Sequence, residues 1–223
     1  NLNTVFYGSP GTGKTTTADA YTMHLAALGL VEDPVPLITS RSDYVGDKEG
    51  ESSIKTRATI ARARGKVLFI DEAYQIVQDR GAQGIDPFGD EAMTEIVALS
   101  EQLIGTTVFI LAGYRDKMET LLKANAGLDS RFPRRMVFES YTPAEVAQIA
   151  VLIAADQGMV LDPDAADWLA TSPEAAVIST MTTDMRPLID TLGNGRFART
   201  LVERAIEENG VRFARKMREG AAP

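Results

Sequence analysis

The sequence predicts an α/β fold: a parallel five-stranded sheet flanked by helices, followed by a small all-α domain. Three observations carry this. Short apolar runs without alternation recur between helical or polar stretches, the pattern of strands buried on both faces. A glycine-rich turn, G-S-P-G-T-G-K-T, joins the first of these runs to a helix. After Glu139 the apolar runs stop and only helical patterns follow. Strands that alternate with helices form a parallel sheet.

The predicted strands cover residues 4–7, 35–40, 67–70, 108–112 and 136–139. The chain opens directly on the first, without an initiator methionine, and the expectation is the ordered part of a longer chain. A helix over 16–30 follows the glycine-rich turn, with Ala18, Tyr21, Met23, Leu25 and Leu28 as its apolar positions. His24 within it reads as structural. The third strand runs from four apolar residues into Asp71 and Glu72, with a short helix over 73–77 after it. Residues 83–89, with two glycines and a proline, read as a flexible surface loop.

Thr142-Pro143-Ala144-Glu145 is a helix start, with Thr as N-cap, Pro in the first turn and Glu three residues on. Helices are expected over 143–156, 162–170, 180–191 and 195–218, with Trp168 and Leu169 in the core of this part. The division is therefore an α/β domain over 1–140 and a helical domain over 141–223.

Composition narrows the function. The 223 residues carry no cysteine and one histidine. That excludes a disulfide scaffold, a cysteine nucleophile, an iron–sulfur cluster and a multi-histidine metal site. No apolar run approaches the roughly 20 residues that span a bilayer, and no signal peptide opens the chain, so no membrane insertion and a cytoplasmic location are expected. Net charge is −8, split evenly between the two halves, with 15 basic against 19 acidic residues before position 141 and 8 against 12 after it. Nucleic acid is not the expected partner of so acidic a chain.

The turn Gly8-Ser9-Pro10-Gly11-Thr12-Gly13-Lys14-Thr15 fits G-x-x-x-x-G-K-[ST] in full. Glycines let successive N–H groups curl around phosphate oxygens, and the helix N-terminus adds a positive dipole end. Lys14 is placed to reach the β- and γ-phosphates of a nucleotide, and the Thr15 hydroxyl to ligate Mg²⁺. Asp71 ends a buried strand on the side where ligands sit in open α/β sheets, and takes the metal directly or through water. Glu72 is the candidate general base for the attacking water. No N-K-x-D guanine motif is present, which favours ATP.

These elements and their spacing resemble the AAA+ ATPases, P-loop NTPases with a helical lid. Within them the chain is similar to the branch of the red-type Rubisco activase CbbX, the type VII secretion ATPase EccA and stage V sporulation protein K. The similar stretches are residues 8–16 (with Thr16 as the last of the nucleotide-binding residues the resemblance implies), 40–46, 65–74 (GKVLFIDEAY), 108–114 (VFILAGY), 125–132 (NAGLDSRF) and 193–199 (GNGRFAR). The resemblance implies a sensor-1 role for Tyr114 and an arginine finger, offered to a neighbouring subunit, for Arg131. Arg134 is a second finger candidate. Arg196 matches the lid's sensor-2 arginine, with Arg199 in reserve. In this family part of the adenine pocket comes from residues ahead of the first strand.

The resemblance further implies a homo-oligomer, a hexameric ring, with ATP and Mg²⁺ as cofactors and a protein client remodelled by hydrolysis. One departure stands out. Many AAA+ motors grip a threaded polypeptide with an aromatic–aliphatic–Gly loop, and that slot here is Lys48-Glu49-Gly50. Such a triplet does occur four residues early, Tyr44-Val45-Gly46. Either Tyr44 grips a substrate, or the charged Lys48-Glu49 loop contacts a partner; packing at the strand end is the plain alternative for Tyr44. A nucleic-acid motor and a monomeric kinase or switch are the competing functions.

Overall fold

The computed structural model describes residues 1–77, 86–125 and 127–219. The chain divides into two compact units, one of residues 1–8 and 13–138, the other of residues 9–12 and 139–223.

In the first unit β1 (Thr4–Gly8), β2 (Leu37–Thr39), β3 (Val67–Ile70), β4 (Val108–Gly113) and β5 (Arg134–Phe138) form one sheet in the order β2-β3-β4-β1-β5. Every pairing is parallel. The helices between are α1 (Lys14–Ala27), α2 (Glu51–Arg62), α3 (Pro87–Gln102), α4 (Arg115–Ala124) and the single turn α5 (Leu128–Arg131).

Alternation along β1, β3 and β4 sends their side chains to two apolar clusters. Val5, Leu68, Ile70, Phe109 and Leu111 pack with Tyr44, Ile60, Met93, Ile96 and Phe132. Phe6, Val67, Phe69 and Ile110 pack with Ala18 and Leu25. Burial on both faces is why β1, β3 and β4 read as unbroken apolar runs. Each fully buried side chain of this size contributes about 1.5–3 kcal/mol, so the three-strand centre dominates the stability of this unit.

The edge strands depart from expectation. β2 is three residues long and not six, because Pro36 cannot donate to a ladder and Val35 is exposed. β5 starts two residues earlier than its apolar pattern, since at the edge Arg134 and Arg135 pair with Thr4 and Val5 while their side chains reach solvent. The expected helix over 73–77 is a 3-10 turn, Ala73–Gln75. Of the loop expected over 83–89, residues 83–85 lie outside the described residues, and Pro87, Phe88 and Gly89 form the first turn of α3, capped by the Asp86 carboxylate.

The second unit holds α6 (Pro143–Asp156), α7 (Pro163–Thr171), α8 (Pro173–Ala176), α9 (Leu188–Leu192) and α10 (Gly195–Arg218). The capping box at the start of α6 is formed: the Thr142 N–H donates to Glu145 Oε2 at 2.8 Å, and the Glu145 N–H to Thr142 Oγ1 at 3.3 Å. Its core gathers Val146, Ala150, Ile178, Ile189, Ala198 and Val202. The helix expected over 180–191 is replaced by a turn and the five-residue α9. Pro187 has no N–H to give a helix and holds Arg186 out of the helical region. The Thr182 N–H instead bonds the Arg186 carbonyl at 2.7 Å. Trp168, expected in the core, is 53% exposed. Its neighbour Leu169, about 100° further round α7, packs on the core instead.

Candidate functional site

Gly8 ends β1 and α1 begins at Lys14, so residues 9–13 make the whole turn. Gly11 (φ 76°) and Gly13 (φ 87°) lie in the left-handed region that glycine enters without penalty. Gly13 is the N-cap of α1 and offers no side chain to its first N–H groups, which leaves the positive helix end for an anion. Lys14 is 6% exposed and its Nζ donates to the Gly8 carbonyl at 2.8 Å. The Thr12 hydroxyl donates to the Ser9 carbonyl at 2.8 Å. Thr15 is half-buried and Thr16 exposed.

Asp71 follows β3 directly, and its N–H extends the ladder to the Thr39 carbonyl at 2.9 Å. Its Oδ1 accepts from the Glu72 N–H at 3.1 Å. Glu72 sits at φ 48°, ψ 46°. A left-handed non-glycine residue of this kind costs about 1–3 kcal/mol and clusters at working sites. Ile70 pairs with Leu111, and Tyr7 with Gly113. Gly8, Asp71 and Tyr114 therefore emerge at the carboxyl edge of the central strands, where the open α/β sheet places ligands.

Two buried side-chain atoms among the described residues have no hydrogen-bond partner: Glu72 Oε2 and Arg131 Nε. An orphaned buried carboxylate oxygen costs about 1–3 kcal/mol unless a ligand satisfies it. Beside it stands Tyr74, whose ring meets that of Tyr114 edge to face at 6.2 Å. Burial first, and then hydrogen bonding to Glu72, push the Tyr74 hydroxyl up to about 12. Residues after β2 brace the turn that carries Glu72. The Arg41 guanidinium bonds the Gln75 carbonyl at 2.7 Å, the Ile76 carbonyl and the fully buried Asp86 carboxylate.

Arg131 ends α5. Its guanidinium pairs with Glu101 and donates to the Gly127 carbonyl at 3.0 Å. Its own carbonyl is held by Asn1 at 2.8 Å and by Asn3 at 3.2 Å. Asn3 Oδ1 in turn accepts from the β4 N–H of Phe109 at 2.9 Å. Arg134 Nε donates to the Asn1 carbonyl at 3.2 Å, and Arg135 pairs with Asp129 at 2.5 Å. Ala126, within the predicted 125–132 stretch, lies outside the described residues.

Tyr44 is fully buried in the core, and burial raises its hydroxyl above the usual tyrosine range. It lies within 2.6 Å of Thr39 Oγ1, and Thr39 Oγ1 donates to the Phe69 carbonyl at 3.0 Å, so Tyr44 is the donor of the pair. A side chain so placed cannot grip a substrate, which corrects that expectation in favour of packing. Lys48 and Glu49 are exposed. His24 is exposed, with Nδ1 at 2.8 Å from the Ala20 carbonyl.

In the second unit Arg196 and Arg199 are exposed on the first turns of α10. Residues that motif reading passed over surround the start of that helix. Asn194, 0% exposed, sits at φ 52°, ψ −116° between two glycines. It bonds Asp190, Tyr141 and the Pro10 carbonyl. An asparagine flanked by glycines was the sequence signal available for it. Tyr74 offered a weaker one, its place two residues after the paired acids.

The donor set fits Mg²⁺ and a nucleotide together. No cage of three or more acidic or histidine side chains stands among the described residues, so Thr15 and Asp71 would hold a Mg²⁺ only with phosphate oxygens and water, the usual manner of that ion. Bound there, the metal would neutralise charge on the transferring phosphoryl group.

Two family models match. The model "ATPase family associated with various cellular activities (AAA)" covers residues 4–140, and "AAA lid domain" covers residues 142–221. The chain is 43% identical over 213 residues to the ESX-1 secretion system protein EccA1 of Mycolicibacterium smegmatis, covering 96% of this chain and 37% of that one. It is 42% identical over 210 residues to EccA1 of Mycobacterium tuberculosis (94% and 36%). It is 36% identical over 213 residues to the ESX-2 secretion system protein EccA2 of Mycobacterium bovis (96% and 34%). The chain thus spans little more than a third of the length of these relatives. A solved structure of a Thermotoga maritima RuvB mutant shares the fold, with a TM-score of 0.60 at 23% identity over 94% of this chain and 56% of that one. Among the described residues no helix is long and apolar enough to cross a membrane.

Proposed function

The chain belongs to the AAA ATPase family, and on that premise we propose that it hydrolyses Mg-ATP at the carboxyl edge of its sheet, at sites completed between the subunits of a homo-oligomeric, hexameric ring. Hydrolysis remodels a protein client; the relatives are named as ESX secretion system proteins, which supports a secretion component as that client.

The observation that carries the reading is Glu72. Its carboxylate has a buried, unsatisfied oxygen beside Asp71, at the sheet edge that carries the glycine-rich turn. A general base needs a free lone pair within hydrogen-bond reach of the proton it takes. Residues 8–16 cradle the phosphates, all but Pro10 with a backbone N–H to offer, and Lys14 leaves the Gly8 carbonyl for the β- and γ-oxygens. Thr15 and Asp71 hold the metal. Glu72 takes a proton from the attacking water as it adds to the γ-phosphorus and the bond to the β-phosphate oxygen breaks. Tyr114 senses the γ-phosphate end of the site. Arg131 acts on the neighbouring subunit's nucleotide, for which it must leave Glu101. Arg196, exposed at the start of α10, takes the sensor-2 role. With Tyr44 buried, contact with the client falls to the exposed Lys48-Glu49 loop.

The test is steady-state ATP hydrolysis by the full-length protein against protein concentration, for the wild type and Glu72→Gln. A specific rate that rises with concentration and vanishes in Glu72→Gln is expected. A concentration-independent rate would overturn the shared site.

A further inference from the structure

We infer that Asn194 and Asp190 are positioning residues that set the phosphate-facing side of the glycine-rich turn, an inference that rests on the nucleotide-binding reading above. Residues 9–12 belong to the same compact unit as α9 and α10. Within that unit the outer face of the turn is bonded twice. Asn194 Nδ2 donates to the Pro10 carbonyl at 3.3 Å, and the Gly195 N–H donates to the Gly11 carbonyl at 3.0 Å.

Every described peptide bond is trans, so each carbonyl points opposite to the N–H that follows it. Holding the Pro10 and Gly11 carbonyls on one side turns the N–H groups of Gly11 and Thr12 to the other side, the concave side that takes phosphate oxygens. The approach is close: a Cβ on Gly11 would lie 2.0 Å from the Gly193 carbonyl oxygen.

Both N–H groups and the oxygen of the Asn194 amide are bonded. Nδ2 also donates to Asp190 Oδ1 at 3.0 Å, and Oδ1 accepts from the Tyr141 N–H at 2.9 Å. Asp190 accepts from the Ser9 hydroxyl at 2.8 Å and from the Ser140 hydroxyl at 2.6 Å. The backbone of Asn194 lies where glycine is at ease and asparagine is strained. The strain is tolerated for the side chain, because glycine at this position would make the same turn without reaching Pro10. The segment also carries Arg196, whose N–H bonds the Gly193 carbonyl at 3.0 Å, so one set of contacts orients both the turn and the sensor-2 candidate.

Asn194→Gly in the full-length protein separates positioning from folding, since it keeps the backbone and removes the amide. A titration with a fluorescent ATP analogue and Mg²⁺ is read beside thermal unfolding without nucleotide, with Lys14→Ala as reference. The expected result is an unfolding temperature at or near wild type with the analogue's Kd weakened about tenfold or more. Wild-type Kd in Asn194→Gly, with binding lost in Lys14→Ala, would overturn the positioning role alone. Binding absent from the wild type, or undiminished in Lys14→Ala, would overturn the nucleotide reading and this inference with it. Should Asn194→Gly fail to fold, the isosteric Asp190→Asn takes the same measurement: a Kd raised severalfold supports the role, and an unchanged one overturns it.

Discussion

Tyr74 and Tyr114 stand edge to face, their ring centroids 6.2 Å apart and their planes at 60°. Tyr114 opens α4 at the end of β4, and Tyr74 lies two residues beyond Glu72. Gly113 makes room for the pair, for a Cβ there would lie 2.8 Å from Tyr74 Cδ1. The contact joins the sensor-1 candidate to the neighbourhood of the general-base candidate through two rigid rings.

Tyr74→Phe keeps the rings and removes the hydroxyl that faces Glu72. Loss of one such hydrogen bond costs about 1 kcal/mol, or roughly fivefold in kcat, with KM for ATP unchanged. Steady-state kinetics at saturating and limiting ATP checks the split. The same variant has a pH signature. The Tyr74 hydroxyl is raised from 10.0 to about 12 in the folded chain, so its protonated form is favoured there. The stability this contributes is fully present below pH 10 and is lost as pH rises towards 12. Thermal unfolding between these limits should fall more steeply for wild type than for Tyr74→Phe.

Arg131 is pinned by its carbonyl to Asn1 and Asn3 and by its guanidinium to Glu101. The backbone is fixed while the side chain has an exchangeable, surface-exposed partner, since the Glu101 side chain is 60% exposed. Arg131→Ala is expected to bind ATP as wild type and to lose about a thousandfold or more in hydrolysis. Mixing it with Glu72→Gln should restore part of the rate, because an intact Glu72 on one protomer then meets an intact Arg131 on the next. A mixture as inactive as its components would place Arg131 in its own subunit's site.

Some of this was readable from residues and some was not, for identifiable reasons. β1, β3 and β4 are buried on both faces, so their apolar runs mark them nearly to the residue. β2 and β5 lie at the sheet edges, where Pro36 cuts the strand shorter than its apolar run and the Arg134-Arg135 pair breaks the apolar pattern without breaking the strand. The glycine-rich turn and the Asp71-Glu72 pair are contiguous, and contiguous chemistry shows in a sequence. The Asn194 and Asp190 contacts with Pro10 and Ser9 join segments some 180 residues apart, and no local spacing announces them. The exposure of Trp168 depends on which face α7 turns to α6, which nine residues with a weak apolar stripe do not specify.

Gly11→Ala is expected to abolish tight ATP binding. The φ of 76° alone costs alanine about 1–2 kcal/mol, and the added Cβ would stand 2.0 Å from a backbone oxygen that cannot move aside as a flexible side chain can. The turn must shift, and with it the N–H groups it presents. ATP-analogue titration should show binding lost, and thermal unfolding a lower midpoint than wild type.

Tyr44 and Lys48 should behave oppositely, although only three residues separate them. Tyr44→Phe removes a hydroxyl bonded to Thr39, whose carbonyl receives the Asp71 N–H. Its expected cost is about 1 kcal/mol in stability by chemical denaturation, with hydrolysis retained. Tyr44→Ala opens a cavity in the core and should cost about 3–5 kcal/mol. Lys48→Ala, on an exposed loop, should leave both stability and basal hydrolysis within error of wild type. Its loss should appear only where a client is remodelled or stimulates the ATPase. If Lys48→Ala instead preserved client remodelling, the charged loop would not be the contact, and another exposed segment would have to carry it. If Tyr44→Phe abolished remodelling while stability held, the hydroxyl would have a role that its burial does not account for.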